Sequence, residues 1–206
     1  LAHSLISQED VPIELYKEFM TDIAEEIERE NKIITDLLSL VKMDKTSANL
    51  NIENRNLNEL IELILKRLRP IAKQRNIDVL YESAREVFAE IDEVKLTLAI
   101  SNLVENAIKY NNEYGYVKVS LDADHQFATI MVEDNGIGIP QEAQEHIFER
   151  FYRVDKSHSR EIGGTGLGLA IARNAILLHR GSIKIDSEEG QGTVFTVKIP
   201  IIYVSK

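Results

Sequence analysis

The chain has 206 residues, a formal net charge of −10 and no cysteine. That charge argues against a broad basic surface for nucleic acid, and the lack of cysteine excludes disulfides and thiolate metal sites. An apolar share of 44% beside 28% charged residues suits a globular chain, and no run of about 18 apolar residues offers a membrane span.

Residues from about Pro12 to Met43 predict one long helix. Leu15, Phe19, Ile23, Ile27, Ile34, Leu38 and Val41 recur at steps of three, four or seven and make one apolar stripe. Pro12 stands at the start, where its missing N–H costs nothing. About 32 residues at about 1.5 Å each give a rod of about 48 Å. A rod of that length wants partner helices, which a dimeric bundle supplies; packing on its own domain is the alternative.

The polar stretch from Asp44 to Asn56, rich in asparagine, reads as a linker. A second helix is expected from about Leu57 to Arg75, kinked or ended by Pro70. The apolar period then falls to two in "IDVLYE", "VFAEI", "YVKVSLD", "ATIMVED", "SIKIDS" and "TVFTVKIP", six strands. Helices from about Val94 to Tyr110 and from about Gly166 to Leu178 lie between them. This mixture predicts an α+β fold, an α/β two-layer sandwich with one mixed sheet, behind a helical front. The corresponding division is residues 1–46, a linker at 47–56, and a second domain over 57–206.

Four segments carry candidate chemistry. In "NLVENAIKY", Asn102, Asn106 and Lys109 fall four and three apart on one helix face, with Glu105 alongside. Amide oxygens beside a lysine suit a hard cation shared with phosphates; a solvated helix face has the same pattern. "VEDNGIGIP" ends a strand in a carboxylate followed by Gly-x-Gly, able to hold an amino-bearing ring against bare backbone. An Asp-Asn-Gly hairpin turn is the competing assignment, weakened because no strand follows at once. "IFERFYR" crowds Phe148, Phe151 and Tyr152 together, as core packing or as ligand contacts. Finally, "GGTGLGL" places four glycines within six residues just before a helix. Bare backbone at a helix start suits phosphate, though a hinge would use glycine too.

In this order the segments resemble the catalytic domain of sensor histidine kinases of two-component systems. "NLVENAIKY" looks like the N box, "DNGIGIP" and "GGTGLGLAIA" the two glycine boxes, "IFERFYR" the F box, and "GQGTVFTVKIP" the closing segment. The resemblance implies the sandwich of the histidine kinase and gyrase ATPases, preceded by part of a dimerisation and phosphotransfer helical hairpin, with ATP and Mg²⁺ as cofactors. Asn106 would coordinate Mg²⁺ with Asn102 assisting, Lys109 and Arg153 would face the phosphates, and Tyr110 would lie on the nucleotide. Glu105 joins Asn102, Lys109 and Arg153 in the implied catalytic set. Asp134 would accept from the adenine amino group, with Gly136 and Gly138 giving the ring room. Ile139, Gly164, Thr165, Gly166, Leu167, Gly168 and Thr193 complete the nucleotide-facing set, and residues from about Val154 to Gly164 would form the lid.

The resemblance also implies a response regulator and a second copy of the chain as partners, no nucleic acid, and a place in the cytoplasmic portion of a protein anchored by an upstream segment. Gyrase-, chaperone- and mismatch-repair-type ATPases share the pocket but place a glutamate where this chain has Asn102, and an amide cannot activate water. A phosphatase acting on the partner's phospho-aspartate and a scaffold are further alternatives. The family's acceptor, a histidine followed by an acid and then a proline, is not found. His3 is followed by Ser4 and Leu5, so the chain is expected to be truncated or to have an unusual acceptor segment, and not to label itself on histidine.

Overall fold

The computed structural model describes residues 12–45, 50–154 and 164–204. His3, Gly163 and nearly all of the expected lid lie outside the described residues. In chain order the elements are α1 (Ile13–Lys45), β1 (Glu53–Asn56), α2 (Leu57–Gln74), β2 (Asp78–Ser83), β3 (Phe88–Ile91), α3 (Glu93–Lys109), β4 (Tyr116–Ala123), β5 (Phe127–Asp134), the short α4 (Gln141–Gln144), α5 (Gly168–Leu178), β6 (Ser182–Glu188) and β7 (Gly192–Pro200).

Five strands form one sheet in the order β2-β4-β5-β7-β6, with β2 parallel to β4 and the other pairs antiparallel. Alternation along each strand sends Val117, Val119 and Leu121, Ala128, Ile130 and Val132, and Phe195, Val197 and Ile199 to the buried face. Helices α2, α3 and α5 cover that face. The outward positions are more polar and pair across strands: Lys118 meets Glu133 at 3.2 Å, and the Tyr116 hydroxyl donates to Glu133 at 2.7 Å.

Capping explains where two helices begin. The Asn56 side chain accepts from the N–H groups of Asn58 and Glu59, at 2.9 and 3.4 Å, and Asp92 accepts from Lys95 N–H at 3.0 Å. Helix α2 runs through Pro70 and does not stop there. Leu68 and Ala72 on either side are both buried, while Pro70 is exposed. Packing therefore carries the helix past the proline.

Two further differences concern the front of the chain. Part of the segment read as a linker is a strand: β1 pairs antiparallel with β3 in a separate two-stranded sheet. The long helix α1 also has two apolar faces. Leu40 is 1% exposed and Leu37 packs beside it against the core, so the C-terminal half of α1 docks on α5. The stripe read from the sequence lies elsewhere on the helix: Ile27, Ile34 and Leu38 are each more than half exposed. No helix among the described residues is long and apolar enough to cross a membrane.

Candidate nucleotide site

The last three turns of α3 set one end of the site. Asn102, Asn106 and Lys109 share a face of this helix, all half-buried. The Asn102 amide donates to Leu98 O at 2.9 Å, which turns its oxygen toward Gly168. A Cβ on that glycine would come within 2.7 Å of the oxygen. Among the described residues none hydrogen-bonds to the Asn106 carboxamide, so its oxygen is available to a ligand. Lys109 Nζ lies 5.2 Å from the centre of the Tyr110 ring and rests against Gly164, where any Cβ would collide with it.

Burial pushes the Lys109 ammonium down to about 8. The charges of Arg153, Lys32 and Arg75 act in the same direction, and Glu105 opposes them. Glu105 is turned away, onto Lys32 of α1 at 3.4 Å. Arg75 fixes the helix end by donating to the carbonyls of Ile108 and Lys109 at 3.1 and 2.7 Å. The result is a concentrated positive spot on a chain of net charge −10, placed to attract an anion.

The other end is built where β5 stops. Asp134 accepts from Gly136 N–H at 2.9 Å and from the backbone N–H of Thr193, its partner across the β5–β7 ladder. Burial outweighs these bonds and holds its carboxyl up at about 6. Gly136 is buried under Tyr110, whose carbonyl oxygen occupies the place a Cβ would need. Ile137 N–H donates to that same oxygen at 3.1 Å, stitching the turn to the end of α3. Ile139 N–H reaches the Ser187 hydroxyl on β6 at 2.9 Å.

Between the two ends runs the second glycine stretch. Gly166 has φ +69°, and a Cβ there would stand 2.9 Å from the Phe151 backbone; both facts require glycine. Phe151 itself has φ +65° and donates to Gly166 O at 2.9 Å. Thr165 donates from its hydroxyl to Asp36 of α1 at 2.8 Å and accepts from Leu167 N–H at 3.2 Å. Leu167 is fully buried and stands at the N-cap of α5, which has no side-chain cap. Its first N–H groups are thus left to another acceptor.

These features place hydrogen-bond acceptors at one end and cations with an open amide at the other, spanned by bare backbone. The family model for "Histidine kinase-, DNA gyrase B-, and HSP90-like ATPase" matches residues 91–202, more than half of the chain. The chain belongs to this ATPase family. Sensor histidine kinase RppB of Synechocystis sp. is 41% identical over 85% of the chain. The chain spans only 39% of that relative's length. The catalytic domain of histidine kinase ThkA, nucleotide-free, superposes with a TM-score of 0.66 at 32% identity, covering 74% of this chain and 97% of that one. ThkA in complex with response regulator protein TrrA gives a TM-score of 0.76 at 27% identity, covering 97% of this chain and 55% of that one.

Against the sequence-derived set of this family member, the structure gathers Asn106, Lys109, Tyr110, Arg153 and Gly164 at the cationic end. Asp134, Gly136, Gly138, Ile139 and Thr193 lie around the carboxylate turn. Asn102 sits against the start of α5 instead, and Glu105 faces α1. Phe148 packs edge-on against Phe195 with ring centres 6.3 Å apart, a core contact, whereas Phe151 is exposed. Lys32, Asp36, Arg75, Gln144 and Ser187 touch the site without any motif to announce them. Their only sequence signal is polarity, which every surface shares.

Proposed function

We propose that the chain is the ATP-handling catalytic part of a sensor histidine kinase, transferring the γ-phosphate of ATP to a histidine and from there to an aspartate of a response regulator. It would work as a homodimer through the exposed stripe of α1, in the cytoplasmic portion of a longer anchored protein. Asp134 would accept from the adenine amino group; Lys109 and Arg153 would hold the phosphates. The free Asn106 carboxamide fits a Mg²⁺ ion that also takes phosphate oxygens. No cluster of three or more His, Asp or Glu among the described residues offers an all-protein cage. Bound there, the ion would offset charge on the transferring phosphoryl group.

The observation that favours a kinase over a hydrolase is Asn102. Its amide is anchored to Leu98 O and has no basic lone pair to take a proton from water, while the carboxylate of Glu105 is paired with Lys32. The test is calorimetry with MgATP together with a phosphate-release assay. The chain should bind ATP in the micromolar to sub-millimolar range, about −5 to −8 kcal/mol, and release phosphate at background rate. Asn102→Glu, which supplies a base, should raise that release. Absence of any binding heat or thermal shift would remove the ATP proposal; steady phosphate release by the wild-type chain would move it to the hydrolases.

A further inference from the structure

The turn from Asp134 to Ile139 is fastened at both ends. At its start Asp134 is held by the N–H groups of Gly136 and Thr193. At its end Ile139 has both backbone groups occupied. Its N–H donates to Ser187 Oγ at 2.9 Å, and its carbonyl accepts from Gln144 Nε2 at 2.9 Å. The same Gln144 nitrogen donates its second proton to Ser187 O at 2.8 Å. Ser187 Oγ further lies 2.9 Å from both Gly192 O and Thr193 Oγ1. One donor and two acceptor positions on that hydroxyl satisfy all three contacts. A continuous polar strap therefore runs from Gln144 through Ser187 to Thr193, the residue whose backbone N–H fixes Asp134.

We infer that Gln144 and Ser187 are positioning residues for base selection: they hold the Asp134 turn in the geometry that lets it choose an amino-bearing purine. This rests on the proposed ATP site and deepens it. Neither side chain needs to touch the ligand. Gln144 lies on the one-turn helix α4, and without the strap the Gly190 N–H to Ile137 O bond, at 2.8 Å, is the one hydrogen bond among the described residues that joins the middle of the turn to the β6–β7 hairpin. Lys109 and Asn106 stand on α3, which the turn meets at Tyr110 O and not through the strap, so loss of the strap should act on the base end more than on the phosphate end. Preorganisation of this kind acts on selectivity more than on gross affinity.

The experiment compares ATP, inosine triphosphate (which carries a keto oxygen in place of the amino group) and tripolyphosphate, each with Mg²⁺, on wild type, Gln144→Leu, Ser187→Ala and Ser187→Thr. Gln144→Leu and Ser187→Ala should each weaken ATP by about 3- to 10-fold, the scale of one hydrogen bond. Tripolyphosphate should change less than about twofold, and the preference for ATP over inosine triphosphate should shrink accordingly. Ser187→Thr, which keeps the hydroxyl, should retain the preference. Parallel losses for all three ligands would reduce the strap to a structural role and overturn the inference, as would an undiminished preference in both disrupting variants. A wild-type chain that shows no preference for ATP would overturn the assignment of Asp134 to adenine, and the inference with it.

Discussion

Asp134→Asn separates the cost of the site from its use. The folded carboxyl sits at about 6 against an ordinary 3.8, a difference of about two units and so roughly 3 kcal/mol at 1.36 kcal/mol per unit. Because the residue is half-exposed, solvent screening brings the expectation to about 1–2 kcal/mol. The folded value lies above the unfolded one, so the native protein holds this proton more tightly than the unfolded chain does. The associated stability is fully present below 3.8 and is lost as pH rises through about 6. At pH 8 the wild type therefore carries a desolvated charge that the amide does not. The retained amide oxygen can still accept from Gly136 N–H, so the turn should keep its shape. The amide variant should be more stable by about 1–2 kcal/mol at pH 8, or about 2–8 °C in Tm for a chain of this size. By pH 5 the gain should fall by about half. ATP binding should nevertheless weaken by about 1–3 kcal/mol. Urea denaturation at pH 5 and pH 8, with ATP titration on the same samples, measures all three. A variant less stable than wild type at pH 8, or a gain equal at both pH values, refutes the assigned burial cost.

Three other outcomes can be checked independently. Binding MgATP should release protons near pH 6, as the adenine amino group draws Asp134 into its ionised form, and take them up near pH 8, as phosphates favour the Lys109 cation; calorimetry in buffers of different ionisation enthalpy reads both signs, and heats independent of buffer would contradict the assignment. Gly166→Ala should lose about 1–3 kcal/mol of stability by thermal melt, because alanine is strained at φ +69° and its methyl meets Phe151; an unchanged Tm would mean the loop relocates freely. Arg75→Met should destabilise by about 1–3 kcal/mol by uncapping the carbonyls of Ile108 and Lys109, and should raise the Lys109 pKa by removing a like charge; NMR titration of the lysine reports the second effect.

The sheet was legible because burial writes it into the sequence. Val117, Val119 and Leu121 alternate with polar neighbours, and the period of two survives in every strand of the main sheet that faces the core on one side. Strand β1 was not legible: "ENRN" is polar and mostly exposed, and it is a strand only because β3 offers it hydrogen bonds. In α1 the stripe at Ile27, Ile34 and Leu38 drew attention from the adjacent Leu37 and Leu40, which make the contact within the chain. Apolar periodicity says that a face is buried without saying against what. At the site, Asn106, Lys109 and Asp134 were legible because each sits in a compact motif. Gln144 and Ser187 were not, since they act through bonds joining residues 43 and 48 positions apart, and no local pattern marks a bond of that span.

Thr165 has a single hydroxyl proton, and in this structure it belongs to Asp36 of the long helix. On the proposed ATP site, a phosphate oxygen that took this proton would have to take it from α1. The helix and the nucleotide then compete for one donor, and competition of this kind is reciprocal: the factor by which nucleotide loosens α1 is the factor by which drawing α1 away strengthens nucleotide binding. A hydrogen bond to a charged acceptor is worth about 1.5–3 kcal/mol, which sets a ceiling of about ten- to a hundredfold on that factor. Lys32, paired with Glu105 one turn earlier on the same helix, would depart with Asp36, so the displacement would also change the charge around Lys109. A pull on one end of a rod would in this way be converted, at a shared proton, into a change of affinity at the other.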